Sequence, residues 1–121
     1  SSLLVGKKDD RMISLYTDYQ SDESGEYTYA IGHEMLDLSE SPSEIEIFEI
    51  PAGQYLRIST ERGFMNDVLP EAWRRIWEMN LEDSLGVRRA FTHDFEFHNY
   101  DDLTSADVQI DIYLSIIPSS Q

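Results

Sequence analysis

The feature that most constrains this sequence is a strict alternation of apolar and polar residues near its C-terminal end. In residues 108–116 a valine, isoleucines and a leucine occupy every second position, and glutamine, aspartate, tyrosine and serine stand between them. A repeat of two residues is the period of a β-strand with one buried face. The segment therefore predicts a strand that lies on a hydrophobic core and needs other strands beside it.

Residues 89–98 predict a second strand, joined to the first by a polar segment rich in turn-forming residues. Alternation places Glu96 on one face of this strand and two phenylalanines on the other. If the two strands pair, Glu96 and Asp111 share a face with Tyr113, a setting that suits a cationic or strongly polar ligand. The alternative interpretation is an antiparallel sheet with one solvated face.

Four more segments have the alternation, or the aromatic and β-branched residues, that are typical of strands. Stretches rich in serine, aspartate, glycine or proline separate them, as expected of turns. Pro51 lies between the last two segments and confines that region to a sheet edge or a bulge, so the fourth segment is a separate strand or continues the third. The predicted strands are residues 11–19, 27–36, 44–50 and 54–61.

Residues 64–80 predict a helix, because their apolar residues recur at helical spacing and include Trp73 and Trp77. Pro70 is expected in the first turn, where a missing N–H group costs nothing. Residues 81–88 are predicted to form a loop. The resulting element order, β-β-β-β-α-β-β, is that of an α+β fold: an antiparallel sheet with one covering helix.

The length of 121 residues suits a single domain over residues 1–121. One helix can cover only part of a sheet with so many strands. The rest of the sheet face must therefore contact a ligand, another chain or solvent.

The formal net charge of −15, from 24 acidic and 9 basic residues, argues against nucleic-acid binding, because such a surface repels phosphates. It attracts cations, although it is equally consistent with solubility alone. The absence of cysteine excludes disulfides and thiol chemistry. With no long apolar run and no signal-peptide pattern, we expect a cytoplasmic protein without a membrane partner.

Neither a metal nor another cofactor is expected. His93 and His98 are five residues apart and fall on opposite faces of a strand, which is unsuited to the fixed geometry of a zinc site. The sequence also lacks a glycine-rich phosphate loop and a serine nucleophile elbow.

Five segments, taken in order, resemble the effector-binding domains of the GyrI-like and AraC-type regulator superfamily, in particular the stand-alone integron-associated proteins. Together they cover most of the chain. The segments are LYTDYQSDESGEYTYAIGHEM (15–35), EIPAGQYLRISTERG (49–63), EAWRRIWEM (71–79), RRAFTHDFEFHNY (88–100) and VQIDIYLSI (108–116).

The resemblance implies a GyrI-like fold, a duplicated β-α-β-β unit with a cleft between its halves. Residues 44–116 correspond to a complete second repeat. Residues 11–36 correspond only to the last two strands of the first repeat, whose opening strand and helix have no counterpart here. An uncovered apolar sheet face favours association, so a homodimer is expected.

The resemblance also implies binding of diverse, often cationic and amphipathic small molecules by a buried glutamate and aromatic residues. Glu96 matches the glutamate of the family motif, although His98 stands where tyrosine is common, and Asp111 stands where the family often has glutamate. A carboxylate in a low-dielectric cleft and aromatic faces both attract cations. The remaining candidate wall residues are Glu34, Tyr27, Tyr29, Trp73, Trp77 and Tyr113.

Other interpretations remain open. Trp73 and Trp77 fit core packing as well as ligand contact, and Tyr27 and Tyr29 fit cross-strand pairing. Glu34 fits a solvated strand position. Beyond a ligand-binding domain without enzymatic activity, the alternatives are a GyrI-like hydrolase that uses paired carboxylates for acid–base chemistry, and an acidic protein-interaction module of the gyrase-inhibitor kind. There is no helix-turn-helix segment, so any link to transcription needs a partner.

Overall fold

The structure is a computed structural model that describes residues 6–39 and 43–118. It confirms the predicted α+β class, with an antiparallel sheet and a covering helix, in agreement with a GyrI-like fold. The elements, in chain order, are β1 (Met12–Thr17), β2 (Thr28–Gly32), β3 (Tyr55–Ser59), α1 (Met65–Glu78), α2 (Leu81–Leu85), β4 (Val87–Arg89), β5 (His93–His98), a 3₁₀ turn (Tyr100–Leu103) and β6 (Asp111–Pro118).

The sheet has the strand order β2-β1-β5-β6-β3, and β4 pairs with the far end of β6. All pairings are antiparallel. The two hairpin strands β1 and β2 join the rest of the sheet through β5, with Ser14 opposite Glu96. Strands β2 and β3 therefore form the two edges of the sheet.

The core lies between α1 and the half of the sheet made by β3, β5 and β6. Ile112 and Leu114 are completely buried there, which confirms that the alternation in residues 108–116 marks a core face. Helix α1 contributes Ala72 and Ile76 to the same cluster. The side chains packed around it are Leu56, Ile58, Leu69 and Trp73.

Helix α1 does not cover the other half of this sheet face. Tyr29 and Ile31 of β2 lie opposite Tyr16 and Ser14, so they share the face on which α1 packs. Tyr29 is nevertheless 50% exposed and Ile31 is 63% exposed. The expectation that one helix is too little cover is confirmed, and the sheet face has a covered half and an open half.

The predicted strand at residues 44–50 is wrong. Residues 43–45 form a turn and bend, and the chain stays irregular until β3 begins at Tyr55. This segment belongs to the connection between the two opposite edges of the sheet, β2 and β3, and it has no partner strand among the residues that the structure describes. Its isoleucines, Ile45 and Ile47, are exposed, so their spacing does not mark a buried face. Between residue 44 and the start of α1, β3 is therefore the one strand among the described residues.

The predicted loop at residues 81–88 is also wrong, because it contains α2 and most of β4. The side chain of Asn80 accepts a hydrogen bond from the Asp83 N–H group, and Gly86, with φ of 69°, ends the helix in the left-handed region. Pro70 lies inside α1, beyond its first turn.

The predicted strand at residues 89–98 is interrupted. Strands β4 and β5 both pair with β6, and between them Phe91 adopts a φ of 54°. A non-glycine residue in this left-handed region is uncommon and marks a break in regular extended backbone. The interruption brings Arg89 back toward Asp94, and this contact matters for the site described below.

We predict that Ile112→Ala lowers the free energy of unfolding by about 2–5 kcal/mol, since it opens a cavity in the completely buried cluster beneath α1. Urea denaturation measures the change. The matched control is Ile117→Ala near the exposed end of the same strand, for which about 0.5 kcal/mol or less is expected. Equal losses for both variants would contradict the assignment of the core to the α1 face.

Candidate functional site

A carboxylate lies buried in the middle of the sheet, on the face toward α1. Glu96 is only 1% exposed. Its Oε2 atom accepts hydrogen bonds from Trp73 Nε1 at 2.6 Å and from the Tyr16 hydroxyl at 3.0 Å, and His98 Nε2 lies 2.7 Å from Oε1. The helix, β1 and β5 each supply a partner, so the charge of Glu96 is met by groups from three elements.

A second carboxylate, Asp94, lies completely buried on the same face of β5. Its Oδ2 atom accepts hydrogen bonds from Arg89 at 2.6 Å and from the Tyr19 hydroxyl at 2.6 Å. Its Oδ1 atom accepts from the Ser115 N–H group at 2.9 Å, where β6 changes partner from β5 to β4. Asp94 therefore satisfies a backbone donor at the strand interruption while Arg89 balances its charge.

A cavity of about 430 Å³ lies between α1 and the β1–β2 side of the sheet. It occupies the boundary between the covered and open halves of the face. Tyr16 and Trp73, which hold Glu96, both line this cavity, so the carboxylate lies directly behind its wall. The full lining is Tyr16, Tyr19, Glu23, Tyr27, Met65, Asn66, Leu69, Pro70, Trp73, Trp77 and Arg89.

The aromatic residues of the cavity are in contact with one another. The ring of Tyr16 lies edge-on to Trp73, with centroids 5.3 Å apart, and it also contacts Tyr27 at 5.8 Å. Tyr27 in turn contacts Tyr19 at 5.7 Å, and Trp73 contacts Trp77 at 6.4 Å. The result is a continuous aromatic wall, whose ring faces carry the negative side of their quadrupoles.

The phenols of the site stay protonated, and its carboxylates outnumber its cationic side chains. Burial raises the pKa of Tyr16 well above its ordinary value, and the negative charge of Glu96 raises it further. Burial and the hydrogen bond to Asp94 raise the pKa of Tyr19 in the same way. Glu23 on the lining adds another carboxylate, whereas Arg89 is already paired.

The sequence is similar to those of known proteins. The family model Cass2, described as integron-associated effector binding protein, matches residues 4–116. The chain belongs to this family. It is also 29% identical, over 116 residues, to the putative transcriptional regulator protein YobU of Bacillus subtilis (strain 168), an alignment that covers 94% of this chain and 69% of that protein. The resemblance inferred from the sequence is confirmed, and membership of an effector-binding family supports a small-molecule effector-binding role.

The structure brings together, at or beside this cavity, five of the residues that the sequence nominated as ligand-binding candidates. Trp73, Trp77 and Tyr27 line the cavity, and Glu96 lies behind its wall. Tyr29 adjoins the wall, because its ring contacts Tyr16 at 5.1 Å and its hydroxyl lies 3.1 Å from Ser14 Oγ.

The prediction that Glu96 and Asp111 share a face with Tyr113 is wrong. Glu96 lies opposite Ile112, so Asp111 and Tyr113 fall on the other face of the sheet. There Tyr113 stacks on Phe95, with ring centroids 5.0 Å apart, and Asp111 accepts a hydrogen bond from Ser59. The carboxylate pair needed for the hydrolase interpretation is therefore not formed by these two residues.

Glu34 also lies apart from the cavity lining. Its carboxylate is 3.6 Å from Lys8 Nζ, in a partly exposed ion pair next to a backbone contact between the same two residues.

Sequence reasoning missed Tyr16, Tyr19, Asp94 and Arg89 as site residues. Alternation did place Asp94 on the Glu96 face, and it placed Tyr16 on one face of β1, but it carried no information on which strand lies beside β5. Nothing in the sequence pattern pairs Arg89 with Asp94, because their contact depends on the interruption at Phe91.

Within the part of the chain that the structure describes, there is no helix long and apolar enough to cross a membrane.

We predict that Glu96→Gln lowers the free energy of unfolding by about 1–3 kcal/mol. Trp73 and Tyr16 both donate to Oε2, and His98 Nε2 lies against Oε1, so an amide places an NH2 group instead of an acceptor oxygen against one of these two sets of partners. Chemical denaturation measures the change. Asp111→Asn is the matched control, the same replacement on the opposite face, and should cost about 0.5 kcal/mol or less. Similar costs for both would contradict the special role of Glu96.

Proposed function

We propose that the cavity binds cationic or amphipathic organic molecules as effectors. The observation that carries this proposal is the buried Glu96 carboxylate, held directly behind an aromatic wall by Tyr16 and Trp73. A carboxylate in a low-dielectric setting attracts a cation more strongly than one in water, and the ring faces in front of it add cation–π attraction of about 0.5–2 kcal/mol.

A bound cation has two places to sit in this arrangement. It can rest on the faces of Tyr16 and Trp73, where it interacts with Glu96 across the wall. It can also contact Glu96 directly if one of those two side chains turns away and gives up its hydrogen bond. Either arrangement favours a positively charged ligand. The net charge of −15 also raises the local concentration of cations around the molecule.

The open half of the sheet face supports an apolar, bulky ligand. Tyr29 extends the aromatic wall beyond the reach of α1, and Ile31 adds an apolar side chain on the same face. Both residues are at least half exposed. Trp77 is also exposed at the other side of the cavity. A ligand with apolar groups around its charge would cover these side chains and remove them from water. Amphipathic cations therefore fit the site better than small hydrated ones.

The domain would act as the ligand-sensing part of a regulator of the GyrI-like and AraC-type kind. The support is the similarity to a protein named as a putative transcriptional regulator. With a net charge of −15, direct contact with DNA phosphates is unfavourable, so a partner would carry the signal to DNA.

We also propose that the open half of the sheet face is a homodimer contact when no ligand covers it. Tyr27, Tyr29 and Ile31 form an exposed apolar surface on one edge hairpin, and such surfaces favour association. The strong negative charge opposes it, so the dimer would form more readily at high ionic strength.

We predict that tetraphenylphosphonium stabilises the protein in a thermal-shift assay and binds in calorimetry, whereas tetraphenylborate, a similarly shaped anion, does not. Trp77→Ala should weaken binding of the cation about tenfold through loss of ring contact. Leu103→Ala, which changes another exposed apolar side chain away from the cavity lining, should leave binding unchanged.

The same assay tests whether the negative charge of Glu96 contributes to binding, because Glu96→Gln removes the charge and keeps the shape of the side chain. Glu96→Gln should weaken tetraphenylphosphonium binding, and Asp111→Asn should not. Equal binding of the cation and the anion, or no effect of Glu96→Gln, would overturn the cation-binding proposal.

We predict that sedimentation velocity shows a monomer–dimer equilibrium that shifts toward dimer as protein and salt concentrations rise. Ile31→Ser should shift it back toward monomer, because it removes an exposed apolar side chain from the proposed contact, and Leu103→Ser should not. A monomer at every concentration and ionic strength would exclude the dimer.

A further inference from the structure

The outer edge of β3 has free backbone hydrogen-bonding groups within the described ranges. The Gln54 carbonyl accepts a hydrogen bond from the Ile116 N–H group, and the Thr60 N–H group donates one to the Ile110 carbonyl. The backbone groups of the even-numbered residues of this strand therefore point toward β6. Backbone groups alternate in direction along a strand. Those of Tyr55, Arg57 and Ser59 therefore point away from the sheet, as a template for another strand.

A groove of about 420 Å³ runs beside this edge, between the second half of β3 and α1. Its apolar lining includes Ile58 from the strand, Val68 from the helix and Met79 just after the end of the helix. This groove lies on the opposite flank of α1 from Trp73 and Trp77, so it is separate from the effector cavity.

The rim of the groove is acidic. Glu61, Asp67 and Glu71 line it, and Arg75 is the one basic residue in the lining formed by the described part of the chain. Arg75 is already engaged, since it lies 3.1 Å from Glu61 and 3.5 Å from Glu71. Glu71 also accepts two hydrogen bonds from Arg74. Three carboxylates therefore face two arginines, and an excess of one negative charge remains around an apolar channel that borders an open strand edge.

We propose that this groove binds an extended, basic segment of another protein, which adds a strand to β3. Backbone hydrogen bonds to Tyr55, Arg57 and Ser59 would hold the segment, and its alternate apolar side chains would enter the groove. Flanking lysine or arginine residues would meet the acidic rim. This proposal does not depend on the nature of the effector.

A second copy of the chain fits this edge poorly. Each copy carries a net charge of −15, and an acidic groove offers less to offset this repulsion than the exposed apolar contact proposed at Tyr27, Tyr29 and Ile31. Arg57 lies at the centre of the outward-facing positions, and pairing of two β3 strands about a twofold axis there would place like charges side by side. A partner of opposite charge avoids both costs.

The test is selection of a random decapeptide library displayed on phage against the full chain. Enriched peptides should carry net positive charge and apolar residues at alternate positions, and their binding should weaken as salt rises. Arg57→Pro removes one outward N–H group that β6 does not use, and it should weaken binding at least tenfold. Arg57→Thr, which removes the same side chain but keeps the N–H group, should bind as the original protein does.

A second variant keeps the test decisive if Arg57→Pro folds poorly. Asp67→Lys changes one exposed rim residue and should weaken binding several-fold. Failure to enrich any peptide, equal binding by the proline and threonine variants, or no effect of Asp67→Lys would overturn the proposal. Competition by tetraphenylphosphonium would also overturn it, because the peptide would then occupy the effector cavity.

Discussion

The arrangement of this domain depends on the burial of one carboxylate. An ionised group removed from water is tolerated only when its lone pairs are met by donors, and Glu96 has three partners. Trp73 anchors α1 to it, Tyr16 anchors β1, and His98 comes from β5. The same contacts that satisfy the charge therefore fix how the helix sits over the sheet, and they turn two aromatic rings toward the cavity.

The position of the cavity follows from how far α1 extends. The helix packs on Leu56, Ile58, Ile112 and Leu114, which occupy the β3–β6 side of the sheet. Strand β2 continues the same face without cover, and Tyr29 remains half exposed. A ligand site between a covered and an uncovered half can be shaped on one side by a rigid helix and remain accessible on the other. The two flanks of α1 thus border different surfaces, an aromatic cavity and an acidic groove.

Sequence patterns predicted the elements that bury an apolar face. They failed where a segment buries no face or where its buried side chains are polar. The alternation in residues 108–116 and the helical stripe of α1 both report contact with the core, so both elements were found. Residues 44–50 alternate without a buried face or partner strand, and they are irregular. The cavity residues from β1 were missed because side-chain period assigns a face within one strand but does not reveal which strands are neighbours.

The error in the register of β5 and β6 points to the site itself. Treating Glu96 as a polar residue predicts that it shares the wetter face of the sheet with Asp111. In the structure the pattern of β5 is inverted: Asp94, Glu96 and His98 lie on the buried face, with Ile112 directly opposite Glu96. Such an inversion lowers stability unless every polar group is paired, and natural sequences keep local conflicts of this kind mainly at functional positions. The strand whose pattern conflicts with its burial is therefore the strand to which we assign the proposed binding chemistry.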